Sequence, residues 1–320
     1  MINYTFRKLN LLVITFLVLT LISYSVTTID TSIEFASGHF FAGWTSYLGD
    51  ISQLNFGINP EGIPVFDELK IVFPATLELC LLAFIIALFI GIPIGTIAGM
   101  KQGKWTDTAI SFTTMCGYSA PIYWVALLLI LIFSLNYELL PVSGRYDLLY
   151  KMDHVTGFAL IDAFISNDSD RAALLQSVIE HMILPCSVLS LLPTTQIIRM
   201  MRASVSEVMN QNYIRVARIR GLSQYQIVFQ HVLRNSIPPI IPRFGVVLST
   251  MFTLSFVTES VFNWPGIGRW LLDALADKDY ESVQAGVLVI ATLVLSVNII
   301  SDLVGAIVNP LARKAWYANK

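Results

Sequence analysis

The chain has 320 residues, 55% of them hydrophobic and only 13% charged, with a mean hydropathy of +0.67, which excludes an ordinary soluble domain and points to an integral membrane protein. Its three cysteines, Cys80, Cys116 and Cys186, all fall within apolar runs and suit packing better than a disulfide framework or a metal site. The formal charge of −2 acquires meaning only when it is divided among the segments between those runs.

Arg7 and Lys8 precede an uncharged run over 9–29. That run can cross the ~30 Å hydrocarbon layer and has no small-residue cleavage site after it, so it reads as an anchor. Residues 30–73 are polar and broken by Gly and Pro, which predicts a loop outside the bilayer. A second span follows over 74–100, with Pro74 suited to its first turn. Gly91, Gly95 and Gly99, spaced by four, permit close approach of another helix. The connection into the third span, 108–135, only approximates a phosphate-binding loop. Its glycine spacing is one residue short, and Trp105 stands where Ser or Thr would hold magnesium. Residues 136–177 form a second outer loop with short amphipathic helices expected around Phe158–Ile165 and Asp170–Val178. The fourth span covers 178–198, the fifth 237–258 and the sixth 283–308, with a third outer loop over 259–282.

Between the fourth and fifth spans lies a long polar, basic segment, 206–235. It reads as two helices joined at Gly221, a residue that tolerates the left-handed backbone of a helix C-terminus. Arg215, Arg218 and Arg220 crowd that end, where the macrodipole favours cations. Ser223 is an N-cap candidate with Gln226 three residues on, and Leu222 with Ile227 makes a hydrophobic staple. The product is a hairpin whose exposed tip is either a plain connector or a rigid basic knob for a soluble partner.

Charge then orients the chain. With both termini inside, 14 of the 20 Lys and Arg lie on the inner side, while 18 acids lie on the outer side. Besides Glu180 at the outer end of the fourth span, counted among those 18, two further acids fall within spans. Glu78 sits near the outer end of the second span, where a carboxylate suits a helix N-terminus. Asp302 lies near the inner end of the last span, with Asn298 one turn earlier on the same face. Each is a structural or a functional intramembrane group. The four histidines are scattered, and no metal-ligand or nucleophile arrangement argues for an enzyme.

These residues resemble a known family. Arg215-Val216-Ala217, then Gly221-Leu222-Ser223, then His231-Val232-Leu233-Arg234-Asn235 is similar to the cytoplasmic EAA loop of ABC-type peptide importer permeases. Further similarity lies in Ser119-Ala120-Pro121-Ile122-Tyr123-Trp124, in Leu140 to Arg145, in His181 to Pro185, in Glu259 with Phe262, in Trp264-Pro265-Gly266-Ile267-Gly268-Arg269, in Asp279-Tyr280 and in Asn298 with Asp302. The tract Val155 to Phe158 with Asp162, and the ending Trp316-Tyr317-Ala318, look most like the branch serving antimicrobial-peptide transport. Arg215 replaces an acidic residue of the general motif, and Asn309-Pro310 replaces an Asp-Pro.

The resemblance implies an all-α integral membrane protein of the type I ABC importer transmembrane-domain fold, with six spans in the bacterial inner membrane and both termini cytoplasmic. It implies half of a translocation path and an ATPase-coupling loop at Arg215, Ala217, Arg218, Gly221, Leu222, Ser223 and Tyr225. The implied partners are a second, homologous permease, two ABC ATPases and a periplasmic peptide-binding protein, within membrane lipid and without nucleic acid. ATP and magnesium belong to the ATPases, so the chain itself carries no cofactor. The implied substrates are cationic peptides or polyamines. A secondary transporter using Asp302 or Glu78, and a non-transporting scaffold, are the competing readings.

Overall fold

The computed structural model describes residues 2–30, 40–150, 152, 155–166 and 170–308, and among them there is no β-strand. In chain order the helices are α1 (Ile2–Asp30), α2 (Phe40–Ser52), α3 (Val65–Met100), α4 (Trp105–Ser119), α5 (Ile122–Leu129), α6 (Ala159–Ile165), α7 (Arg171–Met209), α8 (Asn212–Ile219), α9 (Gln224–Ile227), α10 (Leu233–Ser236), α11 (Ile241–Val261), α12 (Ile267–Ala276) and α13 (Tyr280–Val308). A π-helical stretch, Ile130–Asn136, extends α5, and another, Val228–Val232, joins α9 to α10. Among the described residues five helices are long and apolar enough to cross a membrane, and there are six spans if α4 and the extended α5 form one span bent by 95°.

The bend falls within the third span expected over 108–135. Proline disfavours helical backbone in the residue before it. Ala120 and Pro121 are accordingly both extended, with ψ of 126° and 127°. The other long helices outrun their hydropathic segments. α3 begins at Val65, with Asp67 and Glu68 in its first turn, so Pro74 lies inside the helix and not at its start. The supposed loop 30–73 therefore contains α2 and the first turns of α3. α6 occupies the place of one expected short helix, whereas the other, over 170–178, is the opening of α7. α7 runs for 39 residues through Pro185 and Pro193, about 58 Å at 1.5 Å per residue. α11 starts at Ile241 and continues to Val261, and α13 starts at Tyr280, so the loop expected over 259–282 shortens around α12. Hydropathy stops at the first charged turn, but helical hydrogen bonding does not. Cys80 and Cys186 are buried as expected, while Cys116 is exposed. Asn309-Pro310, the basic residues Arg313, Lys314 and Lys320, and the Trp316-Tyr317-Ala318 ending lie outside the described residues.

The chain divides into two compact units: one takes Met1–Glu78, Leu140–Met182 and Ser255–Ser296, the other Leu79–Leu139, Ile183–Leu254 and Val297–Lys320. In the first unit two buried carboxylates organise the connections. Glu78, 4% exposed, accepts from Arg145 at 2.5 Å and from the backbone N–H groups of Ala159 and Leu160 at the start of α6. It is thus well inside α3, and the helix N-terminus it serves is that of α6. Arg145 also donates to the Gly157 carbonyl at 2.6 Å and lies over the Trp264 ring. Glu259, fully buried, accepts from Thr76 Oγ1 at 2.7 Å and from the N–H groups of Gly268 and Arg269 in the first turn of α12. Trp264 Nε1 donates to the Ala75 carbonyl, and Ile267 N–H to Thr76 Oγ1.

In the second unit the three glycines of α3 face α7. A Cβ at Gly95 would stand 2.6 Å from Met201 Cβ and 2.8 Å from the Ile198 carbonyl, and Gly91 and Gly99 are equally close to Ile197 and Val205. Small residues here let two backbones touch. Asp107 accepts from Arg202 at 2.5 and 2.8 Å and from Gly103 N–H, which pins the short turn between α3 and α4 to α7.

Candidate functional site

The hairpin departs from its expected outline at one end. Its first helix does not run from 206 to 220, because α7 ends at Met209. The Asn210 amide donates to the Ser206 carbonyl and the Gln211 amide to the Glu207 carbonyl, so side chains occupy acceptors that a continuing helix would need. α8 restarts at Asn212 with Ile214 and Ala217 buried.

The tip forms as its residues dictate. Gly221 has φ of +77°, in the left-handed region. Its N–H donates to the Arg218 carbonyl at 3.0 Å, and Leu222 N–H to the Ala217 carbonyl at 3.3 Å. These two bonds make up a Schellman C-cap, and they bring Ala217 and Leu222 together. Ser223 then caps α9: its Oγ accepts from Gln226 N–H, while the Gln226 side chain accepts from Ser223 N–H.

Below the tip, Ile214, Ala217, Ile227, Val232 and Ile240 share one buried cluster with Ala87 of α3 and Ile197, Met201, Val205 and Val208 of α7, and Leu222 packs against it. Ser204 Oγ on α7 donates to the Ser236 carbonyl at 2.8 Å. The hairpin is therefore fastened to α7 through a core and cannot swing independently as a flexible loop would.

Above that core the expected residues diverge. Arg215, Arg218, Gly221, Ser223 and Tyr225 are exposed, Leu222 is half-buried, and Ala217 is buried. Three exposed apolar residues join the face without having been read from the sequence: Ile219 at 85%, Phe229, and Tyr213, which is tilted against His231. Phe229 lies against Tyr225, the rings tilted by 40° with centroids 4.5 Å apart. Their spacing of four, one helical turn, was the available signal. Aromatics and arginines around an apolar centre have the composition of a protein–protein contact.

Asn298 and Asp302 lie away from this face, on α13. Asn298 Nδ2 donates to Ser249 Oγ at 2.7 Å, and Ser301 Oγ bridges the Gly245 N–H and the Ile241 carbonyl. This edge of α13 fastens α11, and Asp302 sits half-buried beside it.

Comparison with known proteins places these features. The sequence is 48% identical over 319 residues, 99% of each chain, to the peptide transport system permease protein SapB of Salmonella typhimurium. It is 47% identical over the same share to the putrescine export system permease protein SapB of Escherichia coli K12. Against the dipeptide transport system permease protein DppB of Escherichia coli K12 the identity is 40% over 271 residues, 83% of this chain and 79% of that one. A chain of the MetNI methionine ABC transporter, inward facing, shares the fold with a TM-score of 0.54 at 16% identity, covering 73% of this chain and 93% of that one. Residues 91–314 match the family model described as binding-protein-dependent transport system inner membrane component. That match opens at the first of the glycines facing α7 and runs through α7, the hairpin, α11 and α13, and the chain belongs to the family of binding-protein-dependent transport system inner membrane components.

Proposed function

We propose that the chain is the permease subunit of an ABC peptide transporter, forming half of the translocation path, with the α8–α9 tip as the coupling element that engages one of two separate ATPases. The single observation that carries this reading is the tip itself, an exposed aromatic and basic face fixed through a buried core to α3 and α7. Nucleotide-driven movement of an ATPase groove around Tyr225 would be passed to the spans by packing. ATP and magnesium reside on the ATPases, a second homologous permease completes the path, and a periplasmic peptide-binding protein delivers the substrate. Glu78 is engaged by Arg145 and two backbone N–H groups, so it lacks the freedom that a proton-exchanging site requires.

Both termini are cytoplasmic in this reading, on the strength of the Lys and Arg partition. In a background without Cys80, Cys116 and Cys186, single cysteines at Ser52 and Asp277 are expected to react with an impermeant thiol reagent outside spheroplasts. Cysteines at Lys104 and Gln224 are expected to react only after permeabilisation, and external labelling at Gln224 would remove the coupling role.

The substrates are cationic peptides or polyamines, in line with the peptide and putrescine named for two relatives and with the acidic outer segments. Glu259 and Asp162 are buried among hydrogen bonds and so contribute little to an outer field. The remaining carboxylates would raise the local concentration of cations, an effect weakened by salt. The test is ATP hydrolysis by the complete complex in liposomes. Polycationic peptides are expected to stimulate it more than neutral peptides of equal length, most of all at low salt. No stimulation by any peptide or by putrescine would refute the reading.

A further inference from the structure

α7 and α11, the two long helices that the hairpin joins, each carry an arginine that pairs with no carboxylate among the described residues. Arg199 lies ten residues before the end of α7, about 15 Å along its axis, and Arg243 is the third residue of α11. Both are exposed, and both line a hollow of about 440 Å³ with Gln196, Met200, Ala203, Val246 and Val247. On its other side Arg199 stands 5.6 Å from the Tyr118 ring centroid, at a second hollow of about 390 Å³ that reaches Arg202. Arg202 has its carboxylate in Asp107. Among the described residues no carboxylate pairs with Arg199 or Arg243.

On the Lys and Arg partition both arginines lie toward the inner ends of their spans, where a guanidinium acquires a partner, reaches the interface or lines a watery path. The hollow offers two planar forks, one amide that both donates and accepts, and an apolar wall. That combination fits a carboxylate carried on an organic body, since the guanidinium fork matches a carboxylate through two parallel hydrogen bonds. Ile197 and Met201, which flank Arg199 on α7, and Ile240, just before α11, belong to the buried core beneath the tip. Movement of the tip would therefore shift both arginines, which suits a ligand that is taken up and released with each cycle.

We propose that Arg199 and Arg243 receive the carboxylate of the transported peptide, so that the cargo is a peptide with a free carboxyl group and not a polyamine, which has no anionic group. The inference rests on the reading of the chain as a peptide permease. The test uses the complete transporter in liposomes and one lysine-containing pentapeptide, offered as the free acid and as the C-terminal amide. Wild type is expected to take up the free acid at least about tenfold faster at low concentration, the size of one charge-assisted hydrogen bond. In the Arg199→Gln/Arg243→Gln variant, with ATPases and partner permease still bound, free-acid uptake is expected to fall to the level of the amide. A preference that persists in the variant, or putrescine uptake equal to that of the free acid, would overturn the proposal while leaving the permease reading intact. Loss of the partner permease from the variant would make the arginines an assembly contact instead. Loss of a co-purified anionic phospholipid, with peptide discrimination unchanged, would make them a lipid-headgroup site. Transport of neither peptide by assembled wild type would refute the permease reading and the inference with it.

Discussion

Gly221→Val is expected to abolish transport and release the ATPase subunits while the permease still inserts at near-normal abundance. Beyond its two chain neighbours, no atom lies within 4 Å of where a Cβ at Gly221 would stand, so a side chain meets no obstacle from the rest of the fold. The penalty comes from the backbone: at a φ of +77° a β-branched residue is an outlier, with a cost of roughly 1 to 2 kcal/mol. Total stabilities are ~5 to 15 kcal/mol, so the fold survives. The local structure relieves the strain by leaving the left-handed region, which breaks the Gly221 to Arg218 and Leu222 to Ala217 bonds and turns Ser223, Tyr225 and Phe229 away from their present face. Gly221→Asn separates conformation from size, because Asn tolerates the left-handed region, and it is expected to retain ATPase binding and uptake. Gln224→Ala, on the exposed first turn of α9, is expected to have little effect. Co-purified ATPase and uptake measured for all three variants decide the matter. Normal values for Gly221→Val would show the hairpin to be a connector.

Glu78→Ala is expected to lower membrane abundance several-fold and to cost about 3 to 5 kcal/mol, the range for removing one member of a buried ion pair. The side chains of Glu78 and Arg145 are 4% and 3% exposed. Without the carboxylate, Arg145 remains buried with only the Gly157 carbonyl and the Trp264 ring, and the first N–H groups of α6 lose their acceptor. Replacing both partners by apolar residues, Glu78→Leu with Arg145→Met, is expected to recover much of the loss, because no uncompensated charge is then left behind. Thermal unfolding in detergent measures both effects. Equal stability of Glu78→Ala and wild type would show that the pair contributes nothing to the fold, and would reopen Glu78 as an exchangeable proton site.

What could be read from the sequence was local. The left-handed Gly221 and the Ser223–Gln226 capping box each depend on residues within a few positions of one another, and the structure forms both. The glycines at 91, 95 and 99 announced a close helix contact, although nothing in their spacing names α7 as the neighbour. The bend at Ala120–Pro121 was encoded in an X-Pro pair inside an apolar run, where a hydropathy window registers only the apolarity. The break after Met209 depends on two amide side chains turning back onto carbonyls, a choice that composition does not determine. The Glu78–Arg145 pair joins residues 67 positions apart and the Thr76–Glu259 bond residues 183 apart. Such partners become visible only when the chain is folded. The arginines of α7 and α11 were counted for orientation, and their common hollow emerged from helix packing.

The turn from Trp264 to Arg269 illustrates how a glycine-rich tract can be mistaken for a supple one. Neither Gly266 nor Gly268 has a positive φ, so no unusual backbone requires them. A Cβ on Gly266 would instead stand 2.4 Å from the Glu259 carboxyl carbon, and one on Gly268 would stand 2.4 Å from the Phe256 ring and 2.9 Å from Glu259 Oε2. The two glycines are the mould of a buried carboxylate, and the segment they form is a rigid cast in which any enlargement displaces the anion that the surrounding N–H groups were folded to hold.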